Sequence, residues 1–318
     1  MTTSTLEAAR SGDEAPFHEL TAPHLHELHV HCYRMLGSAD DADDLLQETL
    51  VAAWRGLGDF AGRSSLRSWL YRIATNRCLN AIRADKRRPP SPVPPFDPPP
   101  PTRRSDTTWL QPYPDDPSVT AERREVIELA FVAALQTLPP RQTAALLLVD
   151  VLGFSPAEAA GMLDARPAAV KGLLQRARAG TAGAAATTRP DAAQEGRLAR
   201  RLADAFTAND VDAVVALLTD DAWLAMPPAP HVYVGREDIA AFLRASAAGR
   251  GGRYVLVPVR ANGQPAFGCY LADGAAVRGT GILVVTVGTG GITGLTRFLD
   301  PSLHPRFGLP GTLPDDVT

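Results

Sequence analysis

Between Pro89 and Pro117 the chain holds twelve of its 28 prolines. Proline has no backbone N–H and clashes with the preceding helical turn, so at this density neither a helix nor a central strand persists. The spacing predicts a semi-extended linker over residues 89–118, which splits the 318-residue chain. Before it, apolar residues recur at helical spacing from about Glu14 to Lys86; after it, from about Val119 to Ala179. Two separate helical modules on a tether are therefore expected, at 14–88 and 119–183. A second, shorter linker at 184–194 follows, in "AGTAGAAATTRPDAAQEG". Beyond it, two helical stretches, "RLARRLADAFTA" and "DVDAVVALLTD", precede β-branched and alternating runs such as "RYVLVPVR" and "GILVVTVG", the pattern of an α+β domain over 195–303 with a tail at 304–318. The fold class expected is multidomain: two all-α modules, then one α+β domain.

A hydrophobic content of 45% and a charged content of 21% describe a globular chain, and a net charge of −3 does not as an average suggest a nucleic-acid binder. The local distribution matters more. Cys32, Cys78 and Cys269 are odd in number and form no C-x-x-C pair, so neither a disulfide framework nor a zinc site is expected, and a reducing cytoplasm fits. No metal or cofactor is implied. There is no basic-then-apolar leader, and runs such as "ALLLVDVLGF" are too short to span a bilayer, so no membrane contact is expected.

Three stretches carry chemistry. "DADDLLQET" reads as an amphipathic helix, with Ala42, Leu45, Leu46, Thr49 and Leu50 toward one side and Asp41, Asp44, Gln47 and Glu48 toward the other. Such a face is either solvated or a docking surface for something basic. Between Arg63 and Arg88 stand eight cations against the single acid Asp85, an excess that attracts phosphate by counterion release. On a helix from about Leu66, the residues Arg72, Asn76, Asn80, Arg83 and Arg87 form one polar stripe, mixing cations with amides that read base edges; Trp69 and Tyr71 offer faces for unstacked bases, or else belong to the core. In "LGFSPAEAAGMLDARPAAVKGLLQRARA", Ser155 is an N-cap with Pro156 at the first helical position and Glu158 closing a capping box. After a tight turn, Pro167 opens a second helix exposing Lys171, Gln175, Arg176 and Arg178, the helix-turn-helix arrangement.

The motifs "YRMLGSADDADDLLQETLVAAW", "SSLRSWLYRIATNRCLNAIR" and "LPPRQTAALLLVDVLGFSPAEAAGMLDARPAAVKGLLQRARA", in that order, resemble the extracytoplasmic-function sigma factors, the smallest class of sigma-70-type bacterial transcription initiation subunits. The resemblance implies that 14–88 is sigma region 2 and 119–183 sigma region 4. It implies that Asp41, Asp44, Gln47 and Glu48 dock on the clamp helices of the largest subunit of core RNA polymerase, with region 4 at the flap of the second-largest. Arg63, Ser64, Trp69, Arg72, Asn76, Arg77, Asn80, Arg83 and Arg87 would contact and melt the minus-ten element of promoter DNA. Arg166, Ala168, Lys171, Gln175, Arg176 and Arg178 would read the minus-thirty-five element. Two departures stand out: Asn80, where relatives often carry Asp, and Gly172 inside the second reading helix, which costs about 1 kcal/mol against Ala.

"WLAMPP", "YVGREDIAAFL", "ANGQPAFGCY", "RFLDP" and "FGLP" resemble a SnoaL-like extension, a cone-shaped α+β fold related to nuclear transport factor 2. The resemblance implies a regulatory domain that touches the sigma modules in cis. Trp223, Met226, His231, Tyr254, Phe267 and Tyr270 are candidates to line a ligand pocket there. Cones of this kind also host isomerases and cyclases, for which Asp220, Asp221, His231, Glu237 and Asp238 are the acid–base candidates. The expected reading is nonetheless a non-enzyme: "TDD" looks like a helix end, "GRED" a helix start and His231 a loop residue. A repressor with no polymerase contact would leave the acidic helix unexplained.

Overall fold

The computed structural model describes residues 3–84, 97–105, 110–115, 128–181, 190–274 and 276–314. Two compact units are present, one formed by 1–88 with 132–184, the other by 89–131 with 185–318.

The first unit is all helical. It runs α1 (Thr3–Arg10), α2 (Glu14–Thr21), α3 (Leu25–Leu36), α4 (Ala39–Gly56) and α5 (Leu66–Ala84), then α6 (Leu129–Gln136), α7 (Pro140–Leu146) with a π-helical turn at Leu147–Val151, α8 (Pro156–Met162) and α9 (Pro167–Thr181). Local chemistry sets the boundaries. Gly37 ends α3 in the left-handed region at φ 71°, and Ser38 then caps α4 by accepting from the Asp41 N–H at 3.1 Å. Asp40 and Asp41 in the first turn favour the helix dipole. The Ser155–Glu158 capping box is present: Glu158 N–H donates to Ser155 Oγ at 3.2 Å and Ser155 N–H to Glu158 Oε2 at 2.9 Å.

One core unites the two helical modules. Tyr71 on α5 is fully buried, edge-on to His31 at 5.1 Å and to Phe154, just ahead of α8, at 5.3 Å. The Arg67 guanidinium lies 4.6 Å over the Phe154 ring, and Gln136 of α6 donates to the Arg34 carbonyl at 3.1 Å. The expectation of separate modules on a free tether is thereby corrected. The apolar face of α5 is wide enough to take α3 and α4 on one flank and the segment around α8 on another. Tyr71 is core, so its ring is withheld from any base.

The second unit contains β1 (Arg103–Arg104), α10 (Ala192–Thr207), α11 (Val211–Ala216), β2 (Leu218–Met226), β3 (Ala229–Val234), α12 (Arg236–Gly249), β4 (Arg253–Ala261), β5 (Gln264–Ala272), β6 (Val277–Gly288), β7 (Gly291–Phe298) and β8 (Thr312–Leu313). The sheet order is β1-β3-β2-β7-β6-β5-β4, with β8 on β6; β2 and β7 pair in parallel and the other pairs are antiparallel. α10, α11 and α12 cover one face, where Leu202, Phe242, Leu283, Val285 and Leu295 pack together. Gly294 is required by close packing: a Cβ there would sit 2.5 Å from the Trp223 indole.

The proline-rich segment is extended where described, and it is fastened to this sheet. Arg103 and Arg104 pair with Val232 and His231 at the sheet edge, where proline-flanked strands are tolerated. Tyr233 Oη donates to the Pro99 carbonyl at 2.8 Å, Tyr113 N–H to Asn262 Oδ1 at 2.9 Å and Gly263 N–H to Asp115 Oδ1 at 2.7 Å. Two smaller expectations also change. "TDD" lies inside β2 rather than closing a helix, because Leu218 registers with Ile292 on β7; His231 belongs to β3, not to a loop.

Candidate nucleic-acid interface and C-terminal cavity

On α4, Ala42, Leu45 and Thr49 are buried against the unit's own core, leaving Asp41, Asp44, Gln47 and Glu48 all exposed. Val51 was not anticipated. At 47% exposure it is the large hydrophobic side chain that stands in water among the described residues, and it falls three and four positions beyond Glu48 and Gln47 on the same face. The signal was in the spacing: an apolar residue at a polar position. Glu48 accepts from Arg77 Nη1 at 2.8 Å, joining the acidic face to α5 by an exposed pair worth little by itself.

α5 turns Leu70, Ala74, Thr75 and Cys78 inward, so its polar stripe faces out. The stripe and the loop before it meet at a cavity of about 350 Å³. Arg63, Ser64, Trp69 and Arg72 line it together with Phe60, against which Trp69 packs at 4.9 Å between ring centroids. Its opposite wall is α8, through Glu158, Gly161 and Met162, none of which the sequence marked for this role. Glu158 is held ionised, below the usual carboxylate range, by the Ser155 backbone and hydroxyl, so it adds a negative charge beside Arg63 and Arg72. Asn76 lies next to this wall and donates to the Met162 carbonyl at 3.4 Å. Asn80 is exposed and accepts from Arg83 Nη1 at 3.0 Å, which turns its amide N–H groups to solvent as donors. Arg87 lies outside the described residues.

Beneath the stripe, His31 donates or accepts at Thr75 Oγ1 across 2.9 Å. Burial, then the nearby Arg34 and Arg67 charges, push its pKa down to about 3, so it is neutral at pH 7.

α9 is different in kind. Val170, Leu174 and Ala177 face inward, while Arg166, Ala168, Lys171, Gln175, Arg176 and Arg178 are exposed along the outer side. Arg178 is gripped by Asp150, Nε to Oδ2 at 2.8 Å and Nη2 to Oδ1 at 2.7 Å, and the guanidinium holds the Asp150 carboxyl below its ordinary value. At Gly172 a Cβ would meet Arg176 Nη1 at an ordinary 3.5 Å, so nothing within the protein demands glycine there.

In the second unit a narrow cavity of about 50 Å³ opens between α12 and the sheet. Of the six side chains expected to line a pocket, Tyr254 does so. Met226 and Phe267 are packed into the hydrophobic core, Trp223 covers Gly294, and Tyr270 donates to the Pro310 carbonyl at 2.8 Å beside His304. His231 is at the strand edge opposite Arg104. Leu224, Phe242, Leu283 and Cys269 form the apolar lining instead, with Arg250 and Arg297. No carboxylate or histidine lines it among the described residues. Asp220 is 93% exposed and paired with Arg236 at 3.2 Å, and Asp238 accepts from Thr102 Oγ1 at 2.7 Å, so the acid–base candidates do not converge.

A helical unit with a capped helix-turn-helix, a basic helix standing over a cavity and an acidic helix, followed by an α+β sheet domain, is the arrangement expected of a sigma-70-type transcription initiation protein. Residues 20–88 match the family model for sigma-70 region 2, residues 128–179 that for sigma-70 region 4, and residues 199–295 that for the SnoaL-like domain. The chain is 42% identical to the ECF RNA polymerase sigma factor SigG of Mycobacterium tuberculosis, over 96% of this chain and 86% of that protein. It is 33% identical to SigM of the same species over 55% of this chain and 79% of the relative. Its fold is similar to the crystal structure of Mycobacterium tuberculosis SigJ, with a TM-score of 0.63 at 22% identity, over 94% of this chain and 100% of the other. The chain belongs to the extracytoplasmic-function RNA polymerase sigma factors. No helix among the described residues is long and apolar enough to cross a membrane.

Proposed function

We propose that this sigma factor binds core RNA polymerase through the exposed face of α4, opens the minus-ten element with α5 and the loop before it, and reads the minus-thirty-five element with α9. The observation that carries the reading is the convergence of Arg63, Ser64, Trp69 and Arg72 on one cavity. Phosphate-binding cations at the rim of a cavity walled by aromatic rings suit an extruded base, whose unstacking costs a few kcal/mol that stacking and ionic contacts offset. Val51 stands exposed amid Asp44, Gln47 and Glu48, so a partner docked on this face would meet an apolar contact beside the acidic ones. Opposite charge on the clamp helices would give fast encounter.

The C-terminal domain regulates this opening in cis. Supporting this, it holds the segment joining regions 2 and 4 through Pro99, Tyr113 and Asp115, so a change in that domain alters the reach between the two modules. The domain has no turnover of its own in this reading, as no carboxylate or histidine among the described residues lines its cavity. Charge reversal of Asp44 and Glu48 to Lys tests the first step: affinity for core should fall by about two orders of magnitude with the thermal unfolding midpoint unchanged, whereas unchanged affinity removes α4 as the docking face. Deleting everything after about residue 185 should change promoter-dependent transcription, and equal transcription across promoters and salt concentrations would remove the regulatory role.

A further inference from the structure

The cavity under α12 contains two cations that the protein leaves without an acid. Arg297 is 9% exposed, and its guanidinium donates to the Phe298 carbonyl at 2.7 Å, to Thr280 Oγ1 at 2.7 Å and, more weakly, to the Thr280 and Ile282 carbonyls. Arg250 donates to Asn209 Oδ1 at 2.5 Å and to the Gly252 carbonyl at 3.0 Å. Every one of these acceptors is neutral, and neither arginine has an ion pair among the described residues. Both guanidinium groups lie near the same ring: Tyr254 is 4.2 Å from Arg250 Cζ and 5.9 Å from Arg297 Cζ. Arginine does not lose its proton in proteins, so two like charges border the same part-buried, largely apolar cavity. A buried charge without a counter-charge is costly. Elsewhere on this domain the same residue type is paired: Arg236 with Asp220, Arg244 with Asp212 and Arg260 with Asp115.

The rest of the cavity defines the remainder of a ligand. Leu224, Phe242 and Leu283 are buried and apolar, and Cys269 beside them is a buried thiol whose pKa burial pushes up against the opposing pull of Arg297. The Ser246 and Tyr254 hydroxyls also line the space and have no hydrogen bond among the described residues. We propose that this cavity binds a small monocarboxylate with a short alkyl body of about two or three carbons, its carboxylate held by Arg250 beside the Arg297 charge and its body by Leu224, Phe242 and Leu283. The narrowness of the space, about 50 Å³, sets the size limit. The site is one for binding in this reading, since no carboxylate or histidine lines it among the described residues. The proposal is independent of the regulatory role given to the domain above, because the binding measurement below makes no use of transcription.

The test is calorimetric titration of the full chain with propionate and butyrate, and with their neutral counterparts propionamide and butyramide. At least one acid should bind saturably at one site per chain, and its amide about tenfold or more weakly, as a charge-assisted hydrogen bond replaced by a neutral one predicts. Arg250→Ala should remove that preference while leaving the amide unaffected, and Ser246→Phe, which fills the cavity, should abolish binding of both. Circular dichroism confirms that each variant is folded. Equal binding of acid and amide, survival of binding in Ser246→Phe, or saturable binding of neither acid to millimolar concentration would each overturn the proposal.

Discussion

α5 and α9 are both basic helices, but they treat their polar residues differently. α5 buries eight of its residues, among them Leu70, Tyr71, Ala74 and Cys78, and sets its polar stripe at the edge of a cavity. α9 buries Val170, Leu174 and Ala177 and presents its cations on an open ridge. A ridge fits a groove in intact duplex; a cavity gives a base somewhere to go once pairing is lost. The two helices carry similar charge, so charge alone does not separate the proposed reader of duplex from the proposed opener of strands. What lies beside the charge does.

The largest expected effect falls on α5. Trp69→Ala combined with Arg72→Ala should reduce open-complex formation about a hundredfold, through lost stacking and phosphate contact, while affinity for a duplex carrying the minus-thirty-five element stays within about twofold. Next, Lys171→Ala combined with Arg176→Ala on α9 should weaken duplex binding about tenfold or more and make the salt dependence shallower by roughly two phosphate contacts, with melting intact once bound. If the two pairs of variants fail in the same assay, the comparison collapses.

A third effect separates the helices by their support. His31 lies under α5, with a folded pKa of about 3 against an ordinary value near 6.5, so the unfolded chain binds more protons between these values. Stability is therefore fully present above about pH 6.5 and is lost as pH falls toward 3, at about 1.4 kcal/mol per pH unit at most. Chemical denaturation at pH 6.5 and 5.5 should show that loss, and His31→Gln should flatten it. The smallest effect concerns Asp150→Asn. It releases Arg178 from its bidentate grip and should raise duplex affinity about twofold, with a steeper salt slope.

The sequence made local features legible and left distant ones hidden. The capping box at Ser155, the inward and outward sides of α4 and the order of the helices all follow from contacts within a few residues, which periodicity and turn chemistry report. Tyr71 was ambiguous because its burial depends on Phe154, more than eighty residues on. The strap formed by 97–105 and 110–115 could not be read, since a run of prolines near a pair of arginines says nothing of Val232 and His231 across the sheet edge. Most of the lining of the cone's cavity was missed for the same reason: alternation along β4 marks Tyr254, but Arg250 and Arg297 come to one cavity through a strand order that skips across the sequence. The wall of α8 against α5 is likewise a product of tertiary packing.

The claim that α5 opens promoter DNA through the cavity at Trp69 is tested most directly by permanganate footprinting of complexes made with core polymerase and the full chain. Thymines in the minus-ten region should react with the wild-type protein and stay protected with the Trp69→Ala, Arg72→Ala variant, while nuclease protection at minus thirty-five persists in both. Reactive thymines in the variant at wild-type level would contradict the assignment.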